Sequence, residues 1–467
     1  MLNYIHVPAT EKESSETPKK KIDTLFADMQ DKKIKDIVVY IHGGINTYNY
    51  ARKQADNITA HLKSEERHCI TIVWETGPVE TLRSQLQTLM KRPLLQKISS
   101  YLNKRFAQSF PEKKGTPGTL SWGRRSQVDP DDVLAKVLTA EDATTLDEVT
   151  SAALITQLAN DFKDEIDGDY ELIAEIAKEI ADADIALTDE FMADVKTTAR
   201  AGTLGAFDNL DLPNFMGRIG VRVAERIEKR RDHGRWATIV EEVFRSIYLA
   251  DIVKASWDDM KKRAADMWQE KDGDTFESAY YFLHKLQEYT ENNPDTRINL
   301  MAHSAGSISV CHLLATAAKK FPKISFGHVI FTAPAASLKL VYDEVITKTD
   351  RFKEFTLFTL SDEQELADAI LPHIYPSSLL YLVSGILEED VDEPLSGMMR
   401  YQTGEEPFRS GIFAETRNFI QEKGKERLIL AQQPATPAGL QVKATRHGDF
   451  DKDRAMLESI KKLLDQG

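Results

Sequence analysis

Five short apolar runs, each closed by a turn, constrain this chain more than any other feature of it. They are Ile37–Ile41, Ile70–Trp74, Ile298–Ala302, His328–Phe331 and Phe355–Leu360, most of them rich in β-branched or aromatic residues. Runs of that length are too short for buried helices, and they lack the polar alternation of a half-exposed strand. They read as central strands of a parallel sheet, buried on both faces. Segments with helical spacing lie between them. Phe276, Tyr280 and Leu283, for example, recur at i, i+4 and i+7 ahead of the third run. Alternating strands and helices predict an α/β fold with a mostly parallel central sheet covered on both faces.

The alternation breaks once. More than two hundred residues separate Trp74 from Ile298 without a convincing strand. Glu171–Ile180 and Val243–Trp268 carry helix formers at helical spacing, and residues 110–130, with Pro111, Gly115, Pro117 and Gly118, read as a loop. The expected division is a core of residues 1–77 and 270–467 interrupted by a helical cap or lid over 78–269. Charge is uneven in that insertion. Residues 161–184 are acidic, while Arg218, Arg222, Arg226, Lys229, Arg230 and Arg231 form a basic helical stretch. The ordinary reading is two solvated helix faces that pair with each other. The acids Asp164 to Asp169 do not make a calcium loop, because Lys163 and Ala174 fall where ligands belong.

The most informative stretch follows the third run. Ala302-His303-Ser304-Ala305-Gly306 leads from a buried strand into a helix marked by Val310, Leu313 and Leu314. It matches the nucleophile elbow G-x-S-x-G with alanine at the first position. A serine at a sharp strand-to-helix turn is strained, and bulky neighbours two residues away would collide with the adjacent strand and helix. The helix start also favours the negative charge that develops when the serine attacks. Upstream, His42-Gly43-Gly44 closes the first run. Glycines there let the backbone approach a reacting oxygen, so Gly43 or Gly44 with Ala305 is the expected oxyanion hole, and His42 a buttress of its loop.

An acid and a base are expected in that chain order. Ser361-Asp362-Glu363 follows the fifth run, on the sheet edge where ligands bind. Asp362 is the expected orienting acid, with Glu363 and Glu365 as rivals. Near the end, Leu440–Lys443 reads as a final strand, followed by a loop with His447-Gly448 and a closing helix from about Asp453. His447 is the expected general base, since imidazole takes and returns a proton near neutrality.

These elements together resemble the α/β-hydrolase superfamily, and within it bacterial-type members with a late Asp and a His-Gly tail loop. The resemblance covers residues 35–77 and 275–465, not the helical block. Two departures are Ala302 and a short N-terminus, so the sheet is either reduced or completed by Asn3–Val7. The resemblance implies ester or thioester hydrolysis through an acyl-serine, on a small-molecule or lipid-like substrate, with neither cofactor nor metal. The alternatives are a serine peptidase using the same residues, or a non-catalytic scaffold that binds a protein partner through the insertion.

Bulk properties narrow the setting. A net charge of −14 argues against general affinity for nucleic acid or anionic lipid. Cys69 and Cys311 suggest no disulfide framework. The N-terminus has no signal-peptide pattern, and no run of ~18 apolar residues predicts a spanning helix. A cytoplasmic protein is the expectation.

Overall fold

Ile37, Val39 and Ile41 are fully buried, and so are Val38 and Tyr40 between them. In a strand these two sets point to opposite faces, so this strand has protein on both sides. It is an interior strand of a parallel seven-stranded sheet in a computed structural model of the chain. The structure describes residues 1–8, 16–44, 48–75, 79–109, 155, 156, 158–160, 162, 169–182, 187–196, 212–248, 250–270, 278–433 and 439–466. The strands are β1 (Tyr4–Val7), β2 (Asp36–Ile41), β3 (Arg67–Trp74), β4 (Arg297–His303), β5 (Phe326–Thr332), β6 (Phe352–Thr359) and β7 (Leu428–Leu430). Their spatial order is β1-β3-β2-β4-β5-β6-β7, every neighbouring pair parallel.

All five apolar runs lie in strands, Leu360 alone falling just past the end of β6. Tyr4–Val7 completes one edge beside β3. The other edge corrects an expectation. Leu440–Lys443 is not a strand, and the edge is the three-residue β7. Leu440, Val442 and Ala444 are buried at the expected alternate positions. Their segment is held differently, however. Gln441 N–H donates to Ser459 Oγ, and the amides of Lys443 and Ala444 both donate to Asp453 Oδ2. Side chains of the closing helix thus do the work of a neighbouring strand.

The sheet belongs to one compact unit, Met1–Arg83, Ser256–Asp368 and Pro394–Gly467. One face packs Val38, Tyr40, Met301, Ile330 and Phe358 with Ile58, Leu62, Leu457 and Ile460. The last four come from helices Tyr48–Leu62 and Arg454–Gln466. Helix Gly306–Lys320 packs on β2 and β4. The chain runs from β2 outward to β3, then returns to lay β4 on the other side of β2. That reversal is a topological switch point, where loops at the carboxyl ends of adjacent strands part and leave a crevice. The loops that part here are those after β2 and β4.

The second compact unit is Ser84–Ala255 with Ala369–Glu393. The expected insertion thus begins a few residues later and ends earlier than 269, and a distant segment joins it. Its central helix, Arg235–Ile247, packs against Pro93–Ser109, Leu212–Glu228 and the turn Val383–Leu387. That helix is buried nearly all round, Glu241 and Glu242 included. Helix Tyr170–Ala181 starts as the sequence predicts, capped by Asp169, which accepts from the amides of Glu171 and Leu172.

Among the described residues, the ion pairs of the two charge runs reach other partners. Arg92 meets Glu179 and Asp182, and Lys97 meets Asp169 and Glu171. The basic stretch turns elsewhere, with Arg218 and Arg222 on Glu190, Arg226 on Glu241 and Glu242, and Arg231 on Asp392. Phe276, residues 110–130 and the acids 163–168 lie outside the described residues. Among the described residues no helix is long and apolar enough to cross a membrane.

Candidate active site

Ser304 is the first residue after β4 and has a φ of +50°. A non-glycine residue rarely occupies this left-handed region, and it stays there only when surrounding bonds hold it. Here they do. Ser304 N–H donates to Thr332 O at 3.0 Å, extending the β4–β5 ladder into the turn. Its carbonyl accepts from the Ala335 and Ser307 amides at 3.1 and 3.0 Å and from Ser307 Oγ at 2.6 Å. Helix Gly306–Lys320 begins at once, with Ala305 as its N-cap. Gly306 is required by close approach, because a Cβ there would lie 2.3 Å from Ile41 O and 2.8 Å from His42 O. That is how the elbow helix seats on β2.

The loop after β2 lies against the same serine. A Cβ on Gly43 would stand 3.1 Å from Ser304 Cβ, and one on Gly44 would stand 2.9 Å from Ala305 Cβ and 2.4 Å from Met260 Sδ. Only a glycine backbone comes this near Ser304. His42 Nδ1–H donates to Gly43 O at 2.8 Å, and Trp74 Nε1–H donates to His42 O at 3.1 Å. Burial lowers the His42 imidazole to about 4, so it is neutral and props the loop.

His447 arrives from 143 positions away, and its Nε2 lies 2.9 Å from Ser304 Oγ. It opens a 3₁₀ turn, His447–Lys452, ahead of the closing helix. Both partners are almost closed to solvent, at 5% and 7% exposure, so little water competes for their bond. Burial, and secondarily the neighbouring His303 ring 5.3 Å away, lowers His447 to about 3. The imidazole is therefore neutral at ordinary pH. In the tautomer whose Nε2 accepts from the serine hydroxyl, the ring hydrogen lies on Nδ1.

Nδ1 is where the arrangement departs from expectation. It is buried and has no hydrogen-bond partner. Asp362 is not bonded to it; Asp362 opens helix Asp362–Ala367, whose capping box is formed by Ser361 and Gln364. Glu363 follows it on that helix, and Glu365 is fully buried, but neither is bonded to Nδ1. The carboxylate that does touch His447 is one the sequence reading passed over. Asp368 Oδ2 accepts the backbone N–H of His447 at 2.8 Å. Asp368 is the C-cap of that helix and lies beyond the strand-end window where an acid is sought.

Ser304, His447, Gly43, Gly44 and Ala305 thus converge at the switch point, and Asp362 does not join His447. Among the described residues no group of three His, Cys, Asp or Glu side chains is placed to hold a metal ion. Comparison with family models, with curated proteins and with solved structures gives no match.

Proposed function

We propose that this chain is a serine hydrolase of the α/β-hydrolase type, acting on an ester or thioester through an acyl-serine. One observation carries the reading. A serine in left-handed conformation at a strand-to-helix turn is hydrogen-bonded at 2.9 Å to a buried, neutral imidazole from the far end of the sequence. A helix-capping serine needs neither the strained φ nor the histidine.

In the proposed reaction, Ser304 Oγ attacks the acyl carbon while its proton passes to His447 Nε2. The carbonyl oxygen becomes an oxyanion beside Ala305 and the Gly43–Gly44 backbone, whose amides are suited to hold it. Collapse expels the alcohol or thiol, which takes the proton back from Nε2. Water then repeats the sequence on the acyl-serine with the same base. The expected substrate is a small-molecule or lipid-like acyl compound, and no step needs a cofactor.

Chromogenic esters and thioesters test this. The wild type should release a burst of leaving group equal to one per protein chain, followed by slower turnover. Ser304→Ala should show neither phase. Turnover that survives Ser304→Ala would contradict the assignment, and turnover confined to peptide substrates would make the enzyme a peptidase.

A further inference from the structure

Resting on that reading, we propose that Asp368 is the positioning carboxylate of the site, holding His447 by its backbone and receiving Nδ1–H as the imidazolium forms. Asp368 Oδ2 already accepts the His447 amide across 79 residues of sequence. The His447 Nδ1 is buried and has no hydrogen-bond partner. The amide nitrogen and Nδ1 belong to one residue and lie a few bonds apart. A carboxylate with two oxygens can therefore take both donors at once.

The ground state leaves the second bond unmade, as resting sites often do, and it closes when charge appears on the ring. When Ser304 Oγ bonds the acyl carbon, its proton moves to Nε2. The ring then carries a hydrogen on each nitrogen and a positive charge that burial strongly opposes. Asp368, as a carboxylate that accepts no proton, pairs with that charge through Nδ1–H and fixes which face of the ring meets Ser304.

Among the described residues, no other carboxylate is hydrogen-bonded to His447. Burial raises the Asp368 carboxyl while the His447 amide and Arg446 lower it, and Asp449 is the remaining charged group acting on it. Asp362 lies one short helix earlier, at the opposite end from Asp368.

The test is the rate at which a fluorophosphonate probe labels wild type, Asp368→Asn, Asp368→Ala and Asp362→Asn across pH. Asp368→Asn keeps an oxygen for the His447 amide, so the loop and Tm should be retained. Its labelling should nonetheless fall by about 10²–10⁴-fold near neutrality. Asp362→Asn should label at close to the wild-type rate. A wild-type rate in Asp368→Asn would show that Asp368 only staples the loop and would overturn the assignment. So would a large loss in Asp362→Asn alone. A folded wild type that takes up no probe would instead overturn the hydrolase reading, and this assignment with it. Asp368→Ala, if folded, should be at least as slow as Asp368→Asn.

Discussion

Two buried histidines, one in each compact unit, put the same side chain to opposite uses. His233, in the helical unit, lies with Nδ1 2.8 Å from Glu241 Oε1 and Nε2 2.8 Å from Asp392 Oδ1. Both acids are closed to solvent, and Arg226 and Arg231 brace them from behind. Each ring nitrogen faces a carboxylate oxygen, so both are engaged. Despite burial, which acts to raise it, Glu241 is lowered to about 2 by His233 and Arg226. His447 has no such company. One nitrogen meets a hydroxyl, the other has no hydrogen-bond partner, and burial lowers the ring to about 3.

The difference teaches what each can do. A histidine saturated by two carboxylates is a fastener. It ties the segment around Asp392 to the central helix, and both its ring nitrogens are taken. A neutral histidine hydrogen-bonded to a serine hydroxyl is suited to the base role proposed for it. Burial alone separates nothing here, because both rings are buried. The partners on the two nitrogens do.

The sharpest way to break this comparison is to exchange the consequences of losing each ring. His447→Ala should cut fluorophosphonate reactivity by about 10²–10⁴-fold while leaving the denaturation midpoint nearly unchanged. A wild-type labelling rate would remove His447 from the chemistry. Glu241→Ala strands His233 and Arg226 without their shared acid. It should cost about 3–5 kcal/mol in chemical denaturation. A cost under about 1 kcal/mol would place that cluster among weak surface pairs.

Gly306→Ala probes the elbow at a smaller scale. Its new Cβ would meet backbone oxygen, which cannot rotate away. A loss of about 1–3 kcal/mol is expected, together with slower labelling. An unchanged protein would mean that the elbow helix does not sit so close to β2.

Acid should expose the buried neutral rings. His447 is lowered to about 3 and His42 and His328 to about 4, each chiefly by burial. Unfolded histidine binds a proton below about 6.5, whereas these folded rings do not. The stability they contribute is present above about pH 6.5 and is lost progressively toward pH 4 as the unfolded state gains protons. Tm should therefore fall between about pH 7 and pH 5. A flat Tm over that interval would contradict the burial of these rings.

Much of this architecture is legible in the sequence, for a physical reason. A strand buried on both faces must be apolar throughout, so β2 to β6 announce themselves. The elbow is legible because close packing dictates small residues around Ser304. What resists reading is held by contacts without periodicity. β7 has three residues, too few for a pattern, while the convincing alternation of Leu440, Val442 and Ala444 is satisfied by Asp453 and Ser459 and not by a strand. Asp368 escapes because it sits one helix past the strand end, and a backbone amide as its partner leaves no mark on residue type. The fastener around His233 escapes for a similar reason. Arg231 and Asp392 are 161 positions apart, and nothing along the chain announces that pairing.

The central claim is that Ser304 is an activated nucleophile. Intact-mass measurement after exposure to a fluorophosphonate, followed by peptide mapping, tests it most directly. The account predicts one adduct per chain, located on the peptide carrying Ser304, and no adduct on Ser304→Ala. Adduct formation on another serine, or a folded wild type that gains no mass, would contradict it.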